Sequence, residues 1–177
     1  MLVQRLTSRG VTLIELVIGL LIVSLVMGFG VPSFSNWIQN AKIRTATEAA
    51  QNGLQLARVE ALKRNATVCV VLNNDTSWVI SSCGSGTLIQ ERKAAEGSSS
   101  ITIATVPTSF TFNSLGRLTF PIITDKFIKM DFSSTTNGSS CVELRCMSLI
   151  VYPTGQVSMC DPDPALTDTD PRKCPAL

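Results

Sequence analysis

Cysteine is the residue type with which this chain can do covalent chemistry, because the sequence has six cysteines and no histidine. An even number of cysteines in an exported domain indicates disulfide bonds formed in an oxidising compartment such as the periplasm. Zinc is the competing interpretation, but the chain has neither a C-x-x-C pair nor a histidine ligand, so the sequence predicts no metal site. The six disulfide candidates are Cys69, Cys83, Cys141, Cys146, Cys160 and Cys174.

The lack of histidine also removes Ser-His-Asp triads and Cys-His pairs from the available chemistry. We therefore predict a protein that is not an enzyme and needs no cofactor. The formal charge is +2, and it falls to zero if Arg5 and Arg9 are removed, since 13 basic residues then face 13 acidic ones. Net charge thus gives no support to non-specific binding of nucleic acids.

Glu15 is the second position with chemical character, since it is the single charge in the apolar run over residues 11–31. A carboxylate inside a membrane helix costs about 2.5–3.5 kcal/mol, so it usually has a partner. A cut between Gly10 and Val11 would create an ammonium group at Val11, on the same chain or on a neighbouring copy, that could pair with Glu15. The apolar run follows this position, whereas the apolar core of a secretory signal peptide precedes its cleavage site. An ordinary signal anchor is the alternative.

Residues 9–16, Arg-Gly-Val-Thr-Leu-Ile-Glu-Leu, closely resemble the class III signal of type IV prepilins and pseudopilins. The resemblance implies that a dedicated peptidase cuts between Gly10 and Val11 and methylates the new N-terminus at Val11, where the family usually has Phe. It also implies that Glu15 neutralises the Val11 ammonium of an adjacent subunit during assembly. Pro32 lies where pilins commonly carry a helix-loosening proline.

Three further segments narrow the resemblance to H-type pseudopilins and the FimT and FimU minor pilins. They are residues 57–64 at the end of a helix, residues 112–117 and residues 152–174. This branch implies a structural subunit that enters a filament.

The elements that must position these residues follow a simple order along the chain. The sequence predicts a cleaved leader over residues 1–10, a transmembrane helix over residues 11–34 and an amphipathic continuation over residues 35–65. A β-rich globular head follows over residues 66–177. The predicted fold class is α+β, a pilin-like lollipop in which a long N-terminal helix packs on a mainly antiparallel sheet with disulfides.

Short β-type runs separated by turn residues fill the head. Strands are predicted over residues 67–72, 78–81, 100–106, 109–113, 126–132, 143–152 and 156–159, and loops over residues 96–100 and 133–140. The first hairpin would bring Cys69 towards Cys83, and a Cys160–Cys174 bond would tie down the proline-rich tail. Cys141 and Cys146 remain as a third pair by subtraction.

DNA is a possible but not a favoured partner. Some FimT-like proteins bind DNA through a Gly-Arg-x-Arg turn, and the aligned residues here, Gly-Gln-Val-Ser at 155–158, lack both arginines. Arg145, Arg172 and Lys173 remain as weak candidates for DNA contacts, beside four aspartates in the tail.

We therefore expect a minor pilin that helps to initiate or cap assembly of a type IV pilus. The alternatives are a DNA-binding minor pilin of natural transformation and the H-type pseudopilin of a type II secretion system. The expected partners are other pilins and minor pilins, the prepilin peptidase and N-methyltransferase, and the inner membrane. The expected location is the inner membrane, with one span and a periplasmic head, and later the pilus or pseudopilus.

Overall fold

A computed structural model describes residues 10–97, 99–104, 107–123, 126–135 and 144–176, and for residues 29–33 it describes the backbone alone. The predicted leader up to residue 9, the disulfide candidate Cys141 and residues 136–140 of the predicted loop lie outside these ranges. The chain divides into two compact units, Met1–Trp37 and Ile38–Leu177.

The first unit contains the beginning of helix α1, which spans Leu13–Arg64. Leucine, isoleucine, valine and methionine dominate this part, and the helical backbone continues through Pro32. The rings of Phe34 and Trp37 stack with their centroids 5.8 Å apart. The sequence predicts a membrane span over residues 11–34. Within the described part of the chain, however, no helix has both the length and the apolar character needed to cross a membrane.

In the second unit, helix α1 buries one face against the strands. Its buried residues recur at spacings of three and four, as expected for an amphipathic helix. They are Ile43, Ala46, Thr47, Ala50, Gly53, Leu54, Ala57 and Ala61. Most are small, so the strands can approach closely. At Gly53 the Trp78 ring fills the space of a side chain, with Cε2 2.8 Å from where a Cβ would lie.

Antiparallel strands form two sheets in the described part of this unit. The five-stranded sheet has the order β3-β2-β1-β5-β6, and the four-stranded sheet has the order β4-β7-β8-β9. The strands are β1 (Val68–Leu72), β2 (Trp78–Ser82), β3 (Leu88–Arg92), β4 (Ile101–Ala104), β5 (Ser109–Phe112), β6 (Leu118–Phe120), β7 (Ile128–Ser134), β8 (Met147–Val151) and β9 (Val157–Cys160).

The core lies between these sheets and helix α1. Alternate residues of the strands point into it, and Phe110, Phe112, Met130 and Phe132 are fully buried. Two backbone hydrogen bonds connect the sheets at their margins. The Ile103 N–H donates to the Asn74 carbonyl at 2.9 Å, and the Leu118 N–H donates to the Pro153 carbonyl at 3.1 Å.

Two strands and several boundaries differ from the sequence prediction. Strands β3 and β6 were not predicted, because β3 (Leu88–Arg92) is a largely polar edge strand and β6 has three residues. Strand β7 extends to Ser134, into the predicted loop, and pairs there with Ile101 of β4. Strand β8 begins at Met147 rather than residue 143, since residues 144–146 have no strand pairing.

Two glycine turns meet at the helix. Gly116 has φ +70° and Gly155 has φ +79°, a left-handed conformation that L side chains rarely adopt. The Gly116 carbonyl accepts a hydrogen bond from Arg58 Nε at 3.1 Å. A Cβ on Gly155 would lie only 2.1 Å from the same carbonyl oxygen. Helix α1, the β5–β6 turn and the β8–β9 turn therefore touch at one point, which we call the glycine junction.

We expect Gly155→Ala to destabilise the second unit more than Gly86→Ala. Gly86 has φ +66° but open space around a Cβ, so its substitution costs about 1–2 kcal/mol from backbone strain. Gly155→Ala should cost about 1–3 kcal/mol more, because its Cβ would collide with backbone. Urea unfolding followed by near-ultraviolet circular dichroism measures both values. Equal losses of stability would show that the glycine junction is not tightly packed.

Candidate functional site

The predicted cleavage position lies in exposed chain immediately before helix α1. Gly10, Val11 and Thr12 are not helical. Val11 is 73% exposed, and in the described part of the chain no atom beyond the two neighbouring residues lies within 4 Å of where a Cβ on Gly10 would be. Proteases prefer exposed segments outside regular structure. The geometry is compatible with a cut at Gly10–Val11, which stays a prediction.

Glu15 contacts the start of its own helix. Its Oε2 accepts a hydrogen bond from the Thr12 backbone N–H at 3.5 Å, and the Glu15 N–H donates to Thr12 Oγ1 at 3.3 Å. This reciprocal pair is a capping box, with Thr12 as the N-cap residue. The sequence analysis gave Thr12 no role. The Thr-x-x-Glu pattern of residues 12–15 is nevertheless the sequence signature of a capping box.

The first part of α1 presents apolar side chains on every side. The large apolar residues among 11–27 are all exposed, from 43% at Val17 to 82% at Leu13. We call these side chains the apolar helix surface. Extended exposed apolar surfaces mark places where a protein meets another apolar surface. This surface is therefore a candidate for contact with another apolar surface.

Two disulfide bonds tie segments of the second unit together. Cys69 is bonded to Cys83 with 5.1 Å between the Cα atoms, and Cys160 is bonded to Cys174 with 4.9 Å between them. These are the two pairs named from the sequence. Cys146 is also in a disulfide, whereas Cys141 lies outside the described residues.

The tail after β9 is held close to the end of that strand. The Asp161 N–H donates to the Arg172 carbonyl at 2.7 Å, and the Cys174 N–H donates to the Asp161 carbonyl at 3.1 Å. With the Cys160–Cys174 bond, these contacts close the loop over residues 160–174. Basic and acidic side chains of this loop pair with one another.

Two of the three candidate DNA contacts are occupied by aspartates of the same loop. Arg172 makes a two-pronged contact with Asp170, from Nε at 3.1 Å and from Nη2 at 2.7 Å. Lys173 Nζ lies 2.7 Å from Asp168 Oδ1. Arg145 is exposed, and its backbone N–H bonds Asn40 of helix α1 at 2.8 Å rather than the tail. The structure does not join the three into a positive patch by any described contact.

Residues 155–158 begin at the glycine junction with Gly155 and continue into strand β9. Gln156 is exposed and Ser158 is half-buried, so both positions that the resemblance to FimT-like proteins aligns with arginines hold uncharged side chains. Arg58, which the sequence reasoning did not single out, supports the glycine junction through the Gly116 carbonyl. Only the three-dimensional arrangement reveals it.

Metal chemistry finds no support in the described ranges of residues 10–176, where no group of three or more cysteine or carboxylate side chains could hold a metal ion.

Comparison with known proteins gives one family and one fold. Residues 46–155, more than half of the chain, match the family described as "Type II transport protein GspH". Crystal structures of the type IV minor pilin FimU of Pseudomonas aeruginosa strain PAO1 are similar in fold. One has a TM-score of 0.50 at 18% identity, covering 70% of this chain and 91% of its own. A second crystal form gives 0.48 at 18% identity, covering 66% and 90%. No curated protein matches significantly.

We expect Asp170 to titrate well below an ordinary aspartate. The Arg172 side chain, and then its backbone N–H, donate hydrogen bonds that lower the Asp170 pKa from 3.8 to about 2. Because the folded-state pKa is depressed, the contact stabilises the tail above the ordinary pKa and is lost as the pH falls from 3.8 towards 2. Carboxyl-carbon NMR titration measures the midpoint.

Arg172→Gln should return the Asp170 midpoint towards 3.8. Lys42→Gln removes the same charge from helix α1 and should leave it unchanged. An ordinary midpoint in the unsubstituted protein would contradict the described contact.

Proposed function

Because this chain belongs to the family of the type II transport protein GspH, we propose that it is a minor pilin or pseudopilin that other pilins take up into a filament. As a member of this family it is a structural subunit and not an enzyme. The finer role that we propose is to initiate or cap the assembly of a type IV pilus. The H-type pseudopilin of a type II secretion system is the alternative.

The apolar helix surface is the observation that carries this proposal. Residues 11–27 expose large apolar side chains around α1, at a large free-energy cost in water. Helices of neighbouring pilins would remove this surface from water in a filament. Before assembly we place the subunit at the inner membrane with a periplasmic head, a location supported by the apolar sequence and by disulfides typical of oxidising compartments.

The proposal includes processing by a prepilin peptidase between Gly10 and Val11 and methylation of Val11. Support comes from the leader pattern and from the exposed, non-helical chain at this position. The new ammonium at Val11 would then pair with Glu15 of an adjacent subunit. In the apolar core of a filament such a pair is weakly screened, so leaving one partner alone is strongly unfavourable.

We expect Glu15→Gln to reduce incorporation of this subunit into filaments by at least tenfold, since a buried ammonium left without its carboxylate costs about 3–5 kcal/mol. Glutamine still completes a capping box, so this variant removes the charge and keeps the cap. Immunoblots of sheared filaments against membrane-bound subunit measure incorporation in cells that carry the partner pilins.

Glu60→Gln is the matched control, because Glu60 is a carboxylate of the same helix that pairs with Arg64 at 2.7 Å in its own chain. It should leave incorporation intact. Unchanged incorporation of Glu15→Gln would refute the pairing. Pilus and secretion roles are separated by complementation, with the gene restoring either piliation or secretion in the matching deletion strain.

We expect the chain to bind duplex DNA weakly or not at all at physiological salt. The side chains of Arg172 and Lys173 are paired with aspartates, and Gln156 and Ser158 carry no charge. Gel-shift titration of the full chain in detergent measures binding. Gln156→Arg with Ser158→Arg should create salt-dependent binding if the turn is built as in DNA-binding relatives. Micromolar binding by the unsubstituted chain would instead favour the DNA-uptake role.

A further inference from the structure

Helix α1 begins two residues after the proposed cleavage position. It begins at Leu13, so the Gly10–Val11 bond lies in non-helical chain. Val11 and Thr12 are neither glycine nor proline, and neither residue type forbids a helix. The strongly apolar residues that follow would favour extending the helix towards its N-terminus, so a specific interaction must stop it.

The reciprocal contact between Thr12 and Glu15 is an interaction that can keep the helix from extending towards its N-terminus. The first backbone N–H groups of a helix have no carbonyl partner in the preceding turn. Here the Glu15 N–H donates to the Thr12 hydroxyl at 3.3 Å. In a longer helix its acceptor would be the Val11 carbonyl, four residues earlier. With the Thr12 hydroxyl in place, the Glu15 N–H is satisfied without Val11 becoming helical.

We propose that Thr12 is a positioning residue for processing, which holds the Gly10–Val11 bond outside the helix so that the peptidase can bind it in extended form. This inference rests on the proposed function, in which a prepilin peptidase cuts that bond. Thr12 takes no part in the chemistry. It acts through the backbone conformation of Val11, and among the described residues no atom beyond the two chain neighbours lies within 4 Å of a Cβ placed on Gly10.

Removing the hydroxyl acceptor shifts the balance towards a longer helix. In Thr12→Val the side chain keeps its shape, but the Glu15 N–H can regain a partner within the chain only if Val11 becomes helical; otherwise it must bond water. The fraction of chains with an extended scissile bond then falls. Loss of a typical N-cap corresponds to about a fivefold change in such an equilibrium, so cleavage should slow by up to about fivefold.

The experiment uses the full-length precursor in detergent with purified prepilin peptidase. Intact mass follows loss of residues 1–10, and the carbon chemical shifts of Val11 in the uncut precursor report its backbone conformation. The peptidase should cut Thr12→Val more slowly, by up to about fivefold, with Val11 shifts moved towards helical values. Thr12→Ser restores a hydroxyl and should recover both. Thr45→Val, the same change at an exposed position of α1, should alter neither.

The outcomes separate the two proposals. An unsubstituted precursor that is never cut at Gly10–Val11 would overturn the processing step of the proposed function. Cutting of the unsubstituted chain with equal or faster cutting of Thr12→Val would overturn the positioning role alone. Slow cutting of Thr12→Val without a helical shift at Val11, or without recovery in Thr12→Ser, would also overturn the positioning role. The effect would then come from direct contact of the peptidase with the side chain at position 12.

Discussion

Small side chains on one face of helix α1 determine how the second unit can pack. Ala46, Ala50, Ala57 and Ala61 are at most 1% exposed, and Gly53 lies among them. The strands come close enough for large residues on the sheets, such as Phe110 and Phe132, to fill the space above this face. A larger side chain on the helix would require backbone shifts, since dense cores accommodate added volume poorly.

The same helix meets two different surroundings along its length. Its first part has apolar side chains all round and no described partner surface, whereas its second part has one apolar face that the strands cover. The charged residues are also distributed unequally between these two parts. Several basic residues of the second unit are paired with nearby carboxylates, as Arg44 is with Glu48 at 2.8 Å and Arg172 is with Asp170 at 2.7 Å. The unpartnered apolar surface is thus the feature that most requires another molecule.

Much of the fold follows from short-range patterns in the sequence. The helix was predictable from apolar spacing, and a hairpin of nearby strands suffices to bring Cys69 and Cys83 together. Strand β3 was not predictable, because Gln90 and Glu91 are ordinary surface residues whose strand conformation comes from pairing with β2. The glycine junction was hidden for a different reason, since it joins helix α1 to one turn from each sheet, and only the packing of the two sheets around the helix brings them together.

The residues of the candidate site also differ in how far the sequence alone reveals them. Gly10, Val11 and Glu15 are recognisable from spacing alone, and the Thr12 cap is equally local, so its signal was present in the sequence. The pairing of Arg172 and Lys173 with aspartates was less accessible. The excess of acidic residues in the tail was visible, but which carboxylate meets which cation depends on how the disulfide folds the loop.

The Trp78 ring that replaces a side chain at Gly53 gives the protein a built-in optical property. The chain has two tryptophans. Trp78 is 5% exposed within the second unit, and Trp37 is 65% exposed at the end of the first. An indole shielded from water emits at shorter wavelength than a hydrated one and is poorly reached by soluble quenchers. The two compact units therefore carry separate intrinsic fluorophores, and the light from each reports on the surroundings of its own unit.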